Sequence, residues 1–365
     1  MASNSTLDVP HSTSSVTVSI IDATIKMTFP IRPFFNPVVG GVEQLETIAY
    51  SFLIEHANGQ KLLFDLGARV DFESNAPALV RRLKSFGFNS PSIEKDVATI
   101  LDEGGMDLRD INAVIWSHHH WDHVGDVSKF PSTTELVVGP GVPKLWPGYP
   151  VNQESFVLES DYKGRPTREI DFNNASELGG FRAFDYFGDG SFYLLDTPGH
   201  TIGHMSALAR TSVSPPSFIF MGGDTCHHAG VFRPSEFVPL PETIIPSPIA
   251  PLNATKKLNF CPGEMFLSIH PNHSPTEPFY KIVVDKDGKS LPYIDVDSAY
   301  ETIAKIQKID KSENVLVIMA HDASLRDILS YWPTSANTWQ ADGWKSKGTW
   351  RFLADFVSQK VEARY

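Results

Sequence analysis

Apolar residues along the chain gather in short runs of strand length, separated by turn-forming residues and a few stretches of helical period. Val16 to Met27 alternates apolar and small polar residues and predicts a first strand. Ile48 to Ile54 and Lys61 to Leu66 flank His56-Ala57-Asn58-Gly59, and Asn-Gly between apolar runs predicts a hairpin. Further strands are expected at Ile111 to Trp116, Thr134 to Val138, Phe181 to Phe187, Phe192 to Asp196, in the run Ser217 to Asp224, and at Asn314 to Ala320. Helical spacing marks Ala78 to Leu83, Ile93 to Leu101 and Leu325 to Leu329. The proline-rich stretches Phe29 to Pro37 and Pro140 to Pro150 read as loops. Residues 1 to about 15, rich in Ser and Thr, read as a disordered lead-in. Strands interleaved with helices predict an α/β (α+β) class.

Several of the predicted strands end in metal-ligating residue types. The run Ile111 to Trp116 leads into His118-His119-His120-Trp121-Asp122-His123, a His-x-His-x-Asp-His spacing. Two histidines two apart on extended backbone point to one side, so His118 and His120 can grip one ion while Asp122 and His123, past the bend, face a second. A surface histidine tract would show the same six residues, so the later partners decide. Thr197-Pro198-Gly199 forces a sharp turn just ahead of His200, a third donor for the first ion. Asp224 ends an apolar strand after two glycines; a buried carboxylate there needs a positive partner, and Asp224 is best placed to bridge both ions. His321, at the end of Asn314 to Ala320, completes the second set.

Other candidates carry two readings each. Asp65 either orients a metal-bound histidine or begins a turn, and His204 reads as packing or as an outer contact. Cys226 follows Asp224 by two residues, but the histidine and carboxylate set is complete without it. Phe34 and Phe35 need burial or a ligand.

Composition narrows the classes further. With 365 residues, 41% hydrophobic and 20% charged, the chain is an ordinary globular protein, long enough for one elaborated domain or two small ones. A net charge of -12 argues against a nucleic-acid surface, which needs clustered cations. No run approaches a membrane span and the first residues lack a secretory signal, so a cytoplasmic location is expected, with no membrane partner. Two cysteines, Cys226 and Cys261, are too few for a disulfide framework and fit reduced thiols.

Taken together, the donors from His118 to His321 resemble the metallo-β-lactamase superfamily over most of residues 16 to 330. The resemblance implies a four-layer αββα sandwich as a single domain over residues 16–365. By that likeness His118, His120 and His200 hold one metal, Asp122, His123 and His321 the other, and Asp224 bridges them. Histidine rather than glutamate at His120 separates the chain from the family's diiron redox branch. The bridging Asp224 separates it from true class B β-lactamases, and the acidic balance from the RNA-processing branch. Ala320-His321-Asp322 before a helical stretch looks most like the N-acyl-homoserine-lactonase-like branch. That branch carries a tyrosine three residues after the bridging Asp, where this chain has His227, so imidazole is expected to meet the substrate carbonyl; His228 shares that expectation.

The segment from about 229 to 299 is longer than a minimal lactonase needs. Its prolines and its phenylalanines 232, 237, 260, 266 and 279 suggest a lid over the metals, partnered by Phe34, Phe35 and Trp121, with a dimerisation arm as the alternative. Phe232 and Phe237 are thereby expected at the substrate, and a homodimer is what the family likeness suggests. The expected activity is opening of a small cyclic ester or amide, a lactone or an aromatic γ-lactam such as a benzoxazolinone. The expected nucleophile is a hydroxide shared by two divalent ions, with Asp122 or Asp224 relaying its proton. Zinc suits these donors best, with iron or manganese as alternatives. A thioesterase would need a basic patch, for which Lys256-Lys257 is the obvious cluster; a mononuclear iron dioxygenase would use part of the donor set.

Overall fold

A computed structural model describes residues 6–86, 91–249 and 259–357. Two six-stranded sheets face one another. The first has the order Val16–Asp22, Tyr50–His56, Lys61–Phe64, Ile111–Ile115, Glu135–Val138 and Thr167–Glu169. The second has the order Ser176–Leu178, Phe181–Asp185, Phe192–Asp196, Met205–Val213, Pro216–Met221 and Val315–Ile318. The hairpin turns at Asn58-Gly59 as the sequence predicts, pairing Phe52 with Phe64 and Glu55 with Lys61.

Period-2 alternation sorts the side chains into layers. Leu62, Phe64, Ala113 and Ile115 point between the sheets, where they meet Leu194, Ala207, Ile219 and Ile318. Leu63 and Val114 point outward against Leu79, Val80, Val97 and Leu101 of helices Pro77–Ser85 and Val97–Glu103. Ala183, Leu195, Phe220 and Val317 face out on the other side, against Ile303, Ile306 and Ile309 of helix Val296–Asp310. Helix, sheet, sheet and helix give the αββα order. Strands buried on both faces read as unbroken apolar runs, which is why the sequence predicts them.

Boundaries differ where a polar side chain captures the backbone. The first strand stops at Asp22, whose carboxylate accepts from Thr24 N (2.9 Å); Thr24 is left-handed at φ 55°, and a separate strand, Ile25–Pro30, follows. The second helix begins at Val97, not Ile93, because Asp96 caps it through Thr99 N (2.8 Å). Ile93 instead pairs with Ile25. After His321, Asp322 caps only a single 3-10 turn, Ala323–Leu325, in place of the expected helix. Phe35–Asn36, inside the expected loop, pairs with Lys281–Ile282. Of the expected disordered lead-in, the described part is anchored: Leu7 N donates to Asn314 Oδ1 (2.8 Å) and Arg210 donates to the Pro10 carbonyl (2.7 Å).

The 229–299 segment does not fold as a phenylalanine-lined lid. Phe232, Phe266 and Phe279 are buried on the outer face of the second sheet with Phe352 and Phe356, an apolar surface large enough to hold them. Phe260 is exposed, and Lys256-Lys257 lie outside the described residues.

Candidate metal centre and its pocket

Four strands deliver the donors to one edge. Ile111–Ile115 runs into His118 and a short helix, Trp121–Val124, that turns Asp122 and His123 back toward it. Phe192–Asp196 ends in the turn carrying His200, where Gly199 has φ +130° and a Cβ would lie 2.5 Å from the Ala299 backbone. Pro216–Met221 and Val315–Ile318 are parallel neighbours, so Asp224 and His321 emerge at the same end. Gly223, at φ +53°, makes the turn into Asp224; a Cβ there would meet His204 Nε2 at 2.9 Å.

Two groups of donors result, His118, His120, His200 and Asp224 in one, and Asp122, His123 and His321 in the other. His200 Nε2 lies 3.2 Å from His118 Nε2 and 3.0 Å from His120 Nδ1. His123 Nε2 lies 3.4 Å from His321 Nε2. Asp224 spans the groups: Oδ1 is 3.1 Å from His123 Nε2 and 3.0 Å from His321 Nε2, while Oδ2 is 3.4 Å from His200 Nε2 and 3.6 Å from His118 Nε2. Asp122 Oδ2 is 3.6 Å from His321 Nε2.

These contacts fit a pair of cations. Tetrahedral ligands bound at about 2.0–2.1 Å stand about 3.3 Å apart, close to the nitrogen separations above. Asp224 Oδ1, fully buried, makes no hydrogen bond of proper geometry although two imidazole nitrogens approach it. Burial, then the neighbouring imidazoles, hold His118 and His200 well below the usual histidine range, so their nitrogens are neutral donors. His120 is lowered in the same way, by burial first and then by His119. Burial also works against a charge on His123, but Asp224 and Asp65 outweigh it and raise that imidazole. Asp224 is held well below the usual carboxylate range because His123, His321 and His227 overcome its burial.

A surrounding layer fixes which nitrogen faces inward. Asp65 accepts from His123 Nδ1 (2.8 Å), from Ser117 N (2.7 Å) and from Ser117 Oγ (2.8 Å), in a left-handed conformation at φ 61°. Of the two readings of Asp65, the structure shows the histidine contact. His321 Nδ1 donates to the Ile48 carbonyl (2.6 Å). His204 donates from Nδ1 to the Thr197 carbonyl (3.0 Å) and accepts at Nε2 from Asp224 N (3.0 Å), so it orients the Asp224 backbone instead of joining either donor group. Cys226 is buried in the core with its thiol pushed up by burial, and belongs to neither group.

A cavity of about 440 Å³ opens over the donors, lined by Trp121, Phe34, Phe29, Met27, His227 and residues of two further segments. His227 Nε2 is 3.3 Å from Asp224 Oδ2, and its Nδ1 is 3.3 Å from the Tyr293 hydroxyl. Phe34 and Trp121 are therefore at the pocket, as expected from sequence. Phe35, Phe232 and Phe237 are not. Phe35 stacks on Tyr280 at 4.9 Å, Phe232 is 1% exposed in the core, and Phe237 lies against Lys311 beside a different cleft. His228 also turns away, 3.2 Å from Asp355. The sequence reading missed Leu291, Pro292 and Ile294, and the face Leu79, Arg82, Leu83 and Phe86 of the first helix and its cap. The helical spacing of the latter was a visible signal; the former carry none.

A model of the metallo-beta-lactamase superfamily matches residues 46–209. The gamma-lactamase FDB1 of Fusarium pseudograminearum is 43% identical over 358 residues, 96% of this chain and 84% of that one. The chain belongs to the metallo-β-lactamase superfamily. Within it, the metallo-hydrolase mfmC of Annulohypoxylon moriforme is also 43% identical, over 96% of this chain and 90% of its own. A solved quorum-quenching N-acyl homoserine lactone hydrolase shares the superfamily fold at 16% identity, with a TM-score of 0.55 over 89% of this chain and 99% of that one. No helix among the described residues is long and apolar enough to cross a membrane.

Proposed function

We propose that this protein is a dinuclear metal-dependent hydrolase that opens a small cyclic amide or ester, with an aromatic γ-lactam such as a benzoxazolinone as the favoured substrate. The observation that carries the reading is Asp224, one carboxylate whose two oxygens face two separate donor groups beneath an apolar, aromatic pocket. The likeness to a gamma-lactamase and to a lactone hydrolase supports ring opening as the reaction class.

His118, His120 and His200 would hold one ion, Asp122, His123 and His321 the other, and Asp224 both; zinc suits this donor set best. Bound there, two such ions supply acidified water and a polarised carbonyl, which this pocket otherwise lacks, since no Ser or Cys lines it among the described residues. Trp121 and Phe34 hold the flat or acyl-bearing body of the substrate and exclude water around it. Asp122, 14% exposed against 3% for Asp224, takes the proton released from the attacking water at its carboxylate. His227, with Nδ1 held at the Tyr293 hydroxyl, presents Nε2 to the reacting carbonyl.

A thioesterase acting on carrier or glutathione thioesters needs several cations at its mouth, whereas Arg82 is the one Lys or Arg among the described lining residues. A mononuclear dioxygenase would leave one whole donor group idle. The test is a panel of γ-lactams, lactones and thioesters on zinc-loaded protein, with metal content measured alongside and His118→Ala as control. Two zinc ions per chain and turnover of cyclic substrates that the variant loses are expected. Turnover that survives His118→Ala, or confined to thioesters, would sink the proposal.

A further inference from the structure

The helix Pro77–Ser85 meets the pocket through Leu79, Arg82, Leu83 and the capping Phe86, positions spaced i, i+3, i+4 and i+7 along one face. Three of the four are apolar, as a wall against an apolar ligand requires. Arg82 breaks that apolar stripe with a solvent-exposed cation at the pocket rim. Its neighbours off the stripe are paired, Arg81 with Glu154 (3.1 Å) and Lys84 with Glu73 (2.7 Å). Among the described residues no carboxylate pairs with Arg82. Its guanidinium lies 5.1 Å from the Phe86 ring and 5.7 Å from the Phe156 ring, both of which line the pocket rim at 41% and 39% exposure. Aromatic faces hold a guanidinium by its plane and leave its N–H edges free for in-plane acceptors.

The pocket is thus chemically two-ended. Its carboxylates and imidazoles gather at the donor groups, while the rest of its wall is apolar apart from Thr47, Thr201 and this one cation. We propose that, among the cyclic amides and esters named above, the preferred substrates are those whose ring bears a carboxylate remote from the carbonyl that is hydrolysed, and that Arg82 receives it and sets specificity. The inference rests on the ring-opening reading above and names the substrate class within it. A single planar fork matches a planar monoanion, to which it can donate two parallel hydrogen bonds. A phosphate dianion would call for a second cation, and none lines the pocket. Because Arg82 is exposed to solvent, the pairing is worth only about a 1.5- to fivefold gain in affinity.

The test uses two ring-opened product analogues with the same aromatic body and the same carboxylate at the metal end. One bears a second carboxylate at the remote end, the other a primary amide. Dissociation constants are measured by calorimetry on the zinc-loaded full chain and on Arg82→Gln and Arg82→Lys, with melting curves to show that the variants fold. Wild type is expected to bind the diacid about 1.5- to fivefold more tightly, Arg82→Gln to bind both alike, and Arg82→Lys to recover part of the preference. Equal binding by wild type, failure to bind either analogue, or a preference that persists in Arg82→Gln overturns the inference. Hydrolysis of neutral parent rings is followed in parallel. A preference without ring opening removes the proposed reaction and leaves the role of Arg82, whereas ring opening without a preference does the reverse.

Discussion

Replacing Asp65 by asparagine separates the fold of the centre from its capacity to hold metal. The carboxylate accepts three hydrogen bonds, from Ser117 N, Ser117 Oγ and His123 Nδ1, and is 1% exposed. Asparagine tolerates the left-handed φ of 61° and can still accept from Ser117 N. Its amide donor then faces His123 Nδ1, which must give up its proton and accept. The proton moves to His123 Nε2, the atom 3.1 Å from Asp224 Oδ1 that the proposed second ion would need as a donor. Loss of such an orienting partner weakens metal affinity about 10- to 100-fold, or about 1.4–2.7 kcal/mol. Asp65→Ala would instead strand three buried donors at about 1–3 kcal/mol each, a large share of the stability of a whole domain. Zinc titration against a chromophoric chelator should therefore show one unchanged and one weakened site in Asp65→Asn, with the melting temperature of the zinc-free variant near that of wild type, and a much lower melting temperature for Asp65→Ala. Two sites of unaltered affinity in Asp65→Asn would refute the argument that Asp65 sets the His123 tautomer.

Three further outcomes can be checked. Gly199→Ala places a methyl 2.5 Å from the Ala299 backbone at a φ of +130°, so it should destabilise the protein by several kcal/mol and displace His200; a urea midpoint within error of wild type would contradict this. Burial pushes Asp161 up to about 7 against the pull of Arg69 and its own hydrogen bonds, so the folded state holds an extra proton between the unfolded value of about 3.9 and that pH. Stability should fall by up to about 4 kcal/mol as pH rises through that window, and Asp161→Asn should flatten the slope in urea titrations. Phe232→Ala should cost about 3–5 kcal/mol yet leave KM unchanged in the folded fraction, whereas Phe34→Ala should raise KM with a smaller loss of stability; the reverse pattern in either would mean the two rings have been assigned to the wrong surfaces.

The two phenylalanines mark where sequence stops being informative. His118, Asp224 and His321 each follow an apolar run buried on both faces, and a carboxylate or a histidine cluster at such a place has few uses besides a cation. Asp65 follows a buried strand too, and its two readings differed only in a contact with His123 that no local pattern encodes. A phenylalanine gives no comparable clue. Phe34 and Phe35 are adjacent, yet one faces the pocket and the other stacks on Tyr280, because the short strand at Phe35 turns alternate side chains to opposite faces.

The long insertion shows the same limit on a larger scale, and also how it is resolved. Phe232, Phe266 and Phe279 are taken up by the outer face of the second sheet, where they join its apolar surface. What reaches the pocket is the stretch 291–294, held there by backbone: Ile294 N donates to the His200 carbonyl (3.1 Å) and Asp295 N to the Gly199 carbonyl (3.0 Å). Asp295 then caps helix Val296–Asp310 through Ser298 N, and Tyr293 holds His227. One wall of the pocket is thereby tied to the turn that carries His200 into its donor group. A change at Gly199 should disturb the substrate wall and the donor group together, because the same two peptide groups position both.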